Sequence, residues 1–210
     1  MLEFLRLHRA EITTLTLEHV WLVAISMAIA VLIGVPAGIL LTRKPRLRGP
    51  VIGGANVIET IPSLALFGFL LPAPWLGARA DRIAITALAL YALLPIIRNT
   101  YVGITGVDAA VREAARGMGL TSRQMLWQVE LPLSMSVILA GIRTATVLCV
   151  GIATIAAAIG AGGLGEFIFR GLAMVNDSLI LAGAIPAAIL ALAADFSLGW
   201  LEARLRPPSA

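Results

Sequence analysis

Apolar residues run through this chain in long uninterrupted stretches, without the alternation of a half-buried strand or the one-sided stripe of a surface helix. Five stretches are each about 20 residues or longer, enough to cross a ~30 Å hydrocarbon layer as helix. They predict spans at about His19 to Thr42, Val51 to Leu71, Arg82 to Gly106, Leu133 to Ile159 and Ser178 to Trp200. Alternating segments of ~10 residues, the mark of a membrane barrel, are absent. The expected fold class is therefore all-α integral membrane, with about five transmembrane helices. Pro36, Pro62, Pro95 and Pro186 fall inside spans and predict kinks, which membranes tolerate where neighbouring helices re-satisfy the freed carbonyl. Ahead of the first span, Leu2, Leu5, Ile12, Leu15 and Leu17 recur at loosely helical spacing and predict an interfacial segment over residues 1–18. Glu3, Glu11 and Glu18 interrupt any apolar core there, which argues against a signal peptide.

Composition sharpens the membrane reading. The chain is 59% hydrophobic and 13% charged, whereas a soluble domain carries about 25% charged residues. The net charge of +4 comes from basic residues flanking apolar spans, which points to topology and lipid headgroups rather than nucleic acid. Arg43, Lys44, Arg46, Arg48, Arg112, Arg116, Arg123, Arg204 and Arg206 put nine cations on one side. Arg6, Arg9, Arg79, Arg82 and Arg170 put five on the other, offset by Glu3, Glu11, Glu18, Asp81, Glu166 and Asp177. This asymmetry predicts an external N-terminus, a cytoplasmic C-terminus with a 204–210 tail, and a cytoplasmic connection between the third and fourth spans. Trp21 and Trp75 then mark the outer interface and Trp200 the inner one.

That connection is the polar island of the chain. Asp108 is placed to cap a helix through Glu113, and Gly117 and Gly119 to end it. Thr121 and Gln124 fit a capping box for a second helix, with Leu120 and Met125 as its hydrophobic staple, and Pro132 closes it. Ala110, Ala114 and Gly117 share a shallow face that another surface could approach closely. A plain helical hairpin lying on the membrane is the competing reading.

Elsewhere the candidate chemistry is sparse. Gly160 to Gly165 matches G-x-G-x-x-G, but it follows a long apolar span with no βαβ unit around it, and no Lys-Ser/Thr follows. The chain thus carries no recognisable ATP site, and the glycines fit an irregular outer turn. Cys149 is the single cysteine, and His8 and His19 stand alone, so neither a disulfide nor a metal site is expected. Glu59, Arg98, Arg143 and Asp195 lie inside spans, each roughly 7 to 11 residues from its cytoplasmic end, a shared depth of about 10 to 16 Å. Isolated intramembrane charges are expensive and should pair or face water. Structural ion pairing and an exchanging inner gate are both open. Phe67, Phe69, Tyr91 and Tyr101 are aromatic candidates for lining a path, since aromatic faces suit cations that cannot donate hydrogen bonds. Five spans without an internal repeat suggest a homodimer, which supplies the second half of a transporter by symmetry.

The island resembles the cytoplasmic loop of ATP-binding-cassette importer permeases. It matches the pattern Glu-Ala-Ala, three residues, Gly, nine residues, an aliphatic residue, any residue, Leu-Pro, through Glu113, Ala114, Ala115, Gly119, Val129, Leu131 and Pro132. Ile61 to Leu66, Leu94 to Tyr101 and Ile159 to Ile168 are similar to segments of the osmoprotectant permeases, which carry glycine betaine, choline, carnitine and related quaternary amines. The resemblance covers about residues 15–203. It implies a type I importer transmembrane-domain fold in a bacterial inner (plasma) membrane, with a permease domain over 19–203. It also implies coupling helices over 108–132 that dock into separate cytoplasmic ATPase subunits, and an external substrate-binding protein. On that reading the chain is no enzyme and holds no cofactor, ATP and Mg being bound by the partner subunit. The alternatives are a permease for another small solute such as methionine, a secondary transporter, and a membrane scaffold.

Overall fold

The computed structural model describes residues 8–77 and 79–205; the expectations on Leu2, Glu3, Leu5, Arg6 and Arg206 lie outside them. Helix α1 runs from Arg9–Arg43, α2 from Arg48–Thr60, α3 from Ser63–Leu70 and α4 from Ala80–Thr105. Two short helices follow, α5 (Ala109–Gly117) and α6 (Ser122–Met125), then α7 (Leu131–Ala156), α8 (Gly165–Met174) and α9 (Asp177–Arg204). Among the described residues, four continuous helical stretches are long and apolar enough to cross a membrane: α1, α4, Ser122–Ile159 and α9.

Two expectations change. Residues 9–18 form no separate interfacial element, because α1 continues unbroken from Arg9 into the first span. Nothing in that stretch interrupts the helix: Glu11 favours its positive end, and Thr13, Thr14 and Thr16 satisfy their hydroxyls on carbonyls one turn back. The second span is two helices, α2 and α3, meeting at 103°. Pro62 disfavours the helical region for the residue before it, and Ile61 is extended (ψ 127°). The Tyr91 hydroxyl of α4 donates to the Ile61 carbonyl, so the break costs no orphaned acceptor. Pro36, Pro95 and Pro186 lie within α1, α4 and α9, which run on through them.

The core is the α1–α4–α7 layer. Leu22, Met27 and Ala30 of α1 meet Ile83, Leu88 and Ile96 of α4 and Ala145, Cys149 and Ala153 of α7. Small residues set the spacing. A Cβ on Gly38 would lie 2.5 Å from Thr100 Cβ, and one on Gly141 would lie 2.5 Å from Asn99 Cβ and 2.8 Å from the Pro95 carbonyl oxygen. Such approach is how membrane helices gain dispersion energy where lipid offers no hydrophobic drive. Helix α9 closes on α8 and the start of α1 through a second cluster, with Phe167, Leu164 and Ala182 fully or nearly buried.

Candidate functional site

The caps and the reverse turn of the 105–131 connection form as their residue types predict. Asp108 Oδ1 accepts from the Ala110 amide at 2.8 Å, capping α5. At the other end Leu120 N donates to Ala115 O (3.2 Å) and Gly119 N to Arg116 O (2.9 Å), with Gly119 at φ +81°. This reverse turn demands a left-handed residue, and glycine takes that conformation without a Cβ penalty. The Thr121–Gln124 capping box is complete, with Thr121 N donating to Gln124 Oε1 at 2.8 Å.

Pro132 does not end the second helix. The chain passes from α6 through a π-turn at Leu126–Glu130 straight into α7. The wide turn places Pro132 at the start of the following helix, where its missing N–H is no loss. Of the motif residues, Ala115 and Leu131 are buried, Val129 is half-buried, and Glu113, Ala114, Gly119 and Pro132 are exposed. The motif therefore has an inward side that sets the loop on the bundle and an outward side. Exposed apolar residues stand among the outward ones: Val111, Met118 at 74% and Trp127 at 63%. Nothing within 4 Å in the chain's own structure would meet a Cβ on Gly117 or Gly119.

Glu130 was not singled out by its spacing. It is 3% exposed inside the π-turn and ion-paired to Arg43 in the last turn of α1. The pair ties the exit of the loop to the first span. Its signal in the sequence is an acid directly before an apolar run, opposite a basic helix end.

The four intramembrane charges sort into two places. Arg143 of α7 holds Asp195 of α9 through two bonds, Nε–Oδ1 at 2.6 Å and Nη2–Oδ2 at 2.8 Å, and reaches Glu202 Oε2 at 3.4 Å. Asp195, Gly199 and Glu202 share one helix face at i, i+4 and i+7 spacing. A Cβ on Gly199 would stand 2.9 Å from Arg143 Nη1, so the bare glycine is where the guanidinium lies. That spacing was the available sign of Glu202. Glu59 of α2 and Arg98 of α4 line one open cleft of ≈ 320 Å³ with Asn99, Leu94, Pro95 and Val102. Both are exposed, and among the described residues neither is in an ion pair.

The aromatic candidates divide similarly. Phe67 is fully buried and Tyr91 is 5% exposed; both are core residues in this conformation, packed because α3 folds back onto α4. Tyr101 is half-buried beneath the Arg48 guanidinium, 4.8 Å from its ring centre, at a hollow of ≈ 460 Å³ that also contains Arg98. Phe69 is exposed.

At the opposite end from the loop, the glycine turn packs against α1. Gly160, Gly162 and Gly163 all have positive φ. The Gly163 amide donates to Glu18 Oε2 at 3.1 Å, and the buried His19 ring bonds the Val150 carbonyl through Nε2 at 3.1 Å. Arg170 of α8 bonds Glu11 of α1 at 2.5 Å. The glycines thus allow an irregular turn to seat against a helix.

Comparison with known proteins accords with this geometry. The profile of the family described as "Binding-protein-dependent transport system inner membrane component" matches residues 20–207. The chain is 48% identical over 192 residues to the carnitine transport permease protein OpuCB of Listeria monocytogenes, covering 91% of this chain and 87% of the relative. It is 42% identical over 207 residues to the choline transport system permease protein OpuBB of Bacillus subtilis (strain 168), covering 99% and 94%. It is 42% identical over 198 residues to the osmoprotectant import permease protein OsmW of Salmonella typhimurium, covering 93% and 92%. Among solved structures, an inward-facing form of the MetNI methionine ABC transporter superposes with a TM-score of 0.83 at 21% identity, over 93% of this chain and 96% of that one. At that identity the likeness speaks for the fold alone.

Proposed function

Since the chain belongs to the family of binding-protein-dependent transport system inner-membrane components, we propose that it is the membrane-spanning permease of an ATP-driven importer of osmoprotectants such as glycine betaine, choline or carnitine. Relatives at 40–48% identity named for carnitine, choline and glycine betaine support that substrate class over methionine, which only the fold likeness brings in.

The observation that carries the reading is the two-sided loop. Of its inner residues, Leu131 packs with Ile104 and Ile138 of the bundle, and Ala115 is buried within the loop. Its outer residues, Glu113, Ala114 and Gly119 with Met118 and Trp127 beside them, offer a shallow, partly apolar surface to a cytoplasmic partner. That partner is the ATPase, which binds ATP and Mg and whose closure drives the loop. Val129 and Pro132 carry the chain from the loop into α7.

On this reading the loop end is cytoplasmic and the glycine turn external, where a substrate-binding protein delivers cargo. The transporter is a homodimer. Support comes from the α2–α4 surface, where Asn56, Glu59 and Arg98 are exposed in a membrane-spanning layer. Such groups require a water-filled path or a second copy against them. Arg143 and Asp195 act as a gate pair, with Glu202 as an alternative carboxylate on the same helix face.

Replacing Gly119 with Val tests the docking assignment. Left-handed backbone costs a side-chain-bearing residue roughly 1–2 kcal/mol, and no neighbour in the chain adds a clash. The permease should fold while the co-purifying ATPase is lost. An ATPase that stays bound, and is still stimulated by loaded binding protein, would show that the loop docks elsewhere.

A further inference from the structure

We infer that the cleft between α2 and α4 is a transit subsite for a zwitterionic quaternary amine, with Arg98 taking its carboxylate and Glu59 its cationic head. The inference rests on the importer reading above and gives that reading a place inside the permease.

The two intramembrane acid–base sets are in opposite states. Arg143 is closed on Asp195 and reaches Glu202. Glu59 and Arg98 line a single cavity of ≈ 320 Å³, yet are not in ion-pair contact. Opposite charges left apart in one intramembrane cleft are matched by a guest that carries both charges in the reverse order, or by water between turnovers. Arg98 supplies a planar fork suited to a carboxylate. A quaternary ammonium has no N–H, so what it needs is a negative charge and an aromatic or apolar wall rather than acceptors in fixed directions. Glu59 provides the charge. Leu94, Pro95 and Val102 provide the wall, and Tyr101 stands in the adjoining hollow, which shares Arg98 and Val102.

Two of the nearby polar groups are already engaged. Asn99 Nδ2 donates to the Pro95 carbonyl at 2.8 Å, and Arg48 lies over Tyr101. One carboxylate and one guanidinium in an open cleft hold a guest loosely. Loose holding suits passage, where tight binding would arrest the solute.

Saturation-transfer NMR on the transporter complex in lipid nanodiscs, with the external binding protein left out, tests this with glycine betaine and choline as probes. Both have N-methyl protons, but only glycine betaine has a carboxylate. Wild-type protein should saturate both. Arg98→Gln should lower the glycine betaine signal about three- to fivefold and leave choline unchanged, the scale of one exposed charge contact. Glu59→Gln should lower both. On the wild type, which needs no variant to fold, glycine betaine should displace choline at a several-fold lower concentration than choline displaces glycine betaine. The inference is overturned if wild type gives no glycine betaine signal, if Arg98→Gln affects both probes alike or neither, or if displacement is symmetrical. Import is read separately. Import of labelled glycine betaine without a permease signal sinks the subsite and leaves the importer standing. Absence of import of every quaternary amine tried, with the binding protein present, sinks the importer's substrate reading instead.

Discussion

Removing either partner of the Arg43–Glu130 pair breaks the same contact, yet the two losses should differ severalfold. Glu130 is 3% exposed and Arg43 is 41% exposed. Arg43→Met leaves a carboxylate buried without its cation, a situation that costs about 3–5 kcal/mol. Glu130→Gln leaves the guanidinium half in solvent, where it hydrates, and the amide oxygen can still accept from it. That loss is on the scale of an exposed pair, about 1 kcal/mol or less. For a chain of this length each kcal/mol moves a melting midpoint by roughly 2–4 °C. The expected falls are therefore about 6–20 °C for Arg43→Met and at most about 2–4 °C for Glu130→Gln. Replacing both with apolar residues, Arg43→Met with Glu130→Leu, should return the midpoint close to wild type. The chain carries its own reporter: Cys149 is the single thiol and is fully buried. A fluorogenic maleimide added during a temperature ramp reads its exposure in detergent. Equal shifts for the two single variants, or a larger fall for Glu130→Gln, would refute the assignment of the buried cost to the carboxylate.

Three other outcomes follow from the same contacts. Gly38→Ala places a methyl group 2.5 Å from Thr100 Cβ and 2.9 Å from the Ile97 carbonyl oxygen; overpacking of that kind costs about 1–3 kcal/mol, and an unchanged Cys149 midpoint would contradict the close α1–α4 approach. Asp195→Asn leaves Arg143 with Glu202, whereas Arg143→Gln takes the cation away from both α9 carboxylates it reaches, so the arginine change should raise ATP hydrolysis in the absence of loaded binding protein and the aspartate change should not. If both variants keep wild-type transport and stimulation, the pair is structural and no gate. Trp127→Ala should leave the melting midpoint within about 2 °C of wild type, as expected for a mostly exposed side chain, while ATPase recovery falls; full recovery removes Trp127 from the docking surface.

What the sequence made legible was local. Asp108, Gly119, Thr121 and Gln124 act within a few residues of themselves, and their caps and turn form as their types demand. Spans were legible because about 20 apolar residues have few other uses. The chain bends at Pro62, which Thr60 and Ser63 flank, but runs helical through Pro36, Pro95 and Pro186, which lie among apolar and small residues. The long-range group at that bend is Tyr91, 30 residues on from Ile61, which serves the Ile61 carbonyl. The charge layer was legible as a set but not as partners. Pairing depends on which helices touch, so Glu202 and Glu130 came into view only once α7 lay against α9 and the π-turn lay beside α1. Phe67 and Tyr91 read as path candidates because aromatic residues look alike in sequence whether they face a channel or a core.

The glycine-mediated approach of α1, α4 and α7 divides labour within the molecule. With Gly38 against Thr100, Gly103 within 3.2 Å of Ser134 for any added Cβ, and Gly141 against Asn99, those three helices cannot slide past one another without collision. They behave as a chassis. The 105–131 loop hangs between two of its members, so a push there would displace the whole frame. Relative motion falls to the parts outside it, the broken α2–α3 arm and α9. The proposed transit cleft straddles that division: Arg98 stays with the chassis on α4, whereas Glu59 travels with the arm on α2, so movement of the arm alone would change the spacing of its two charges.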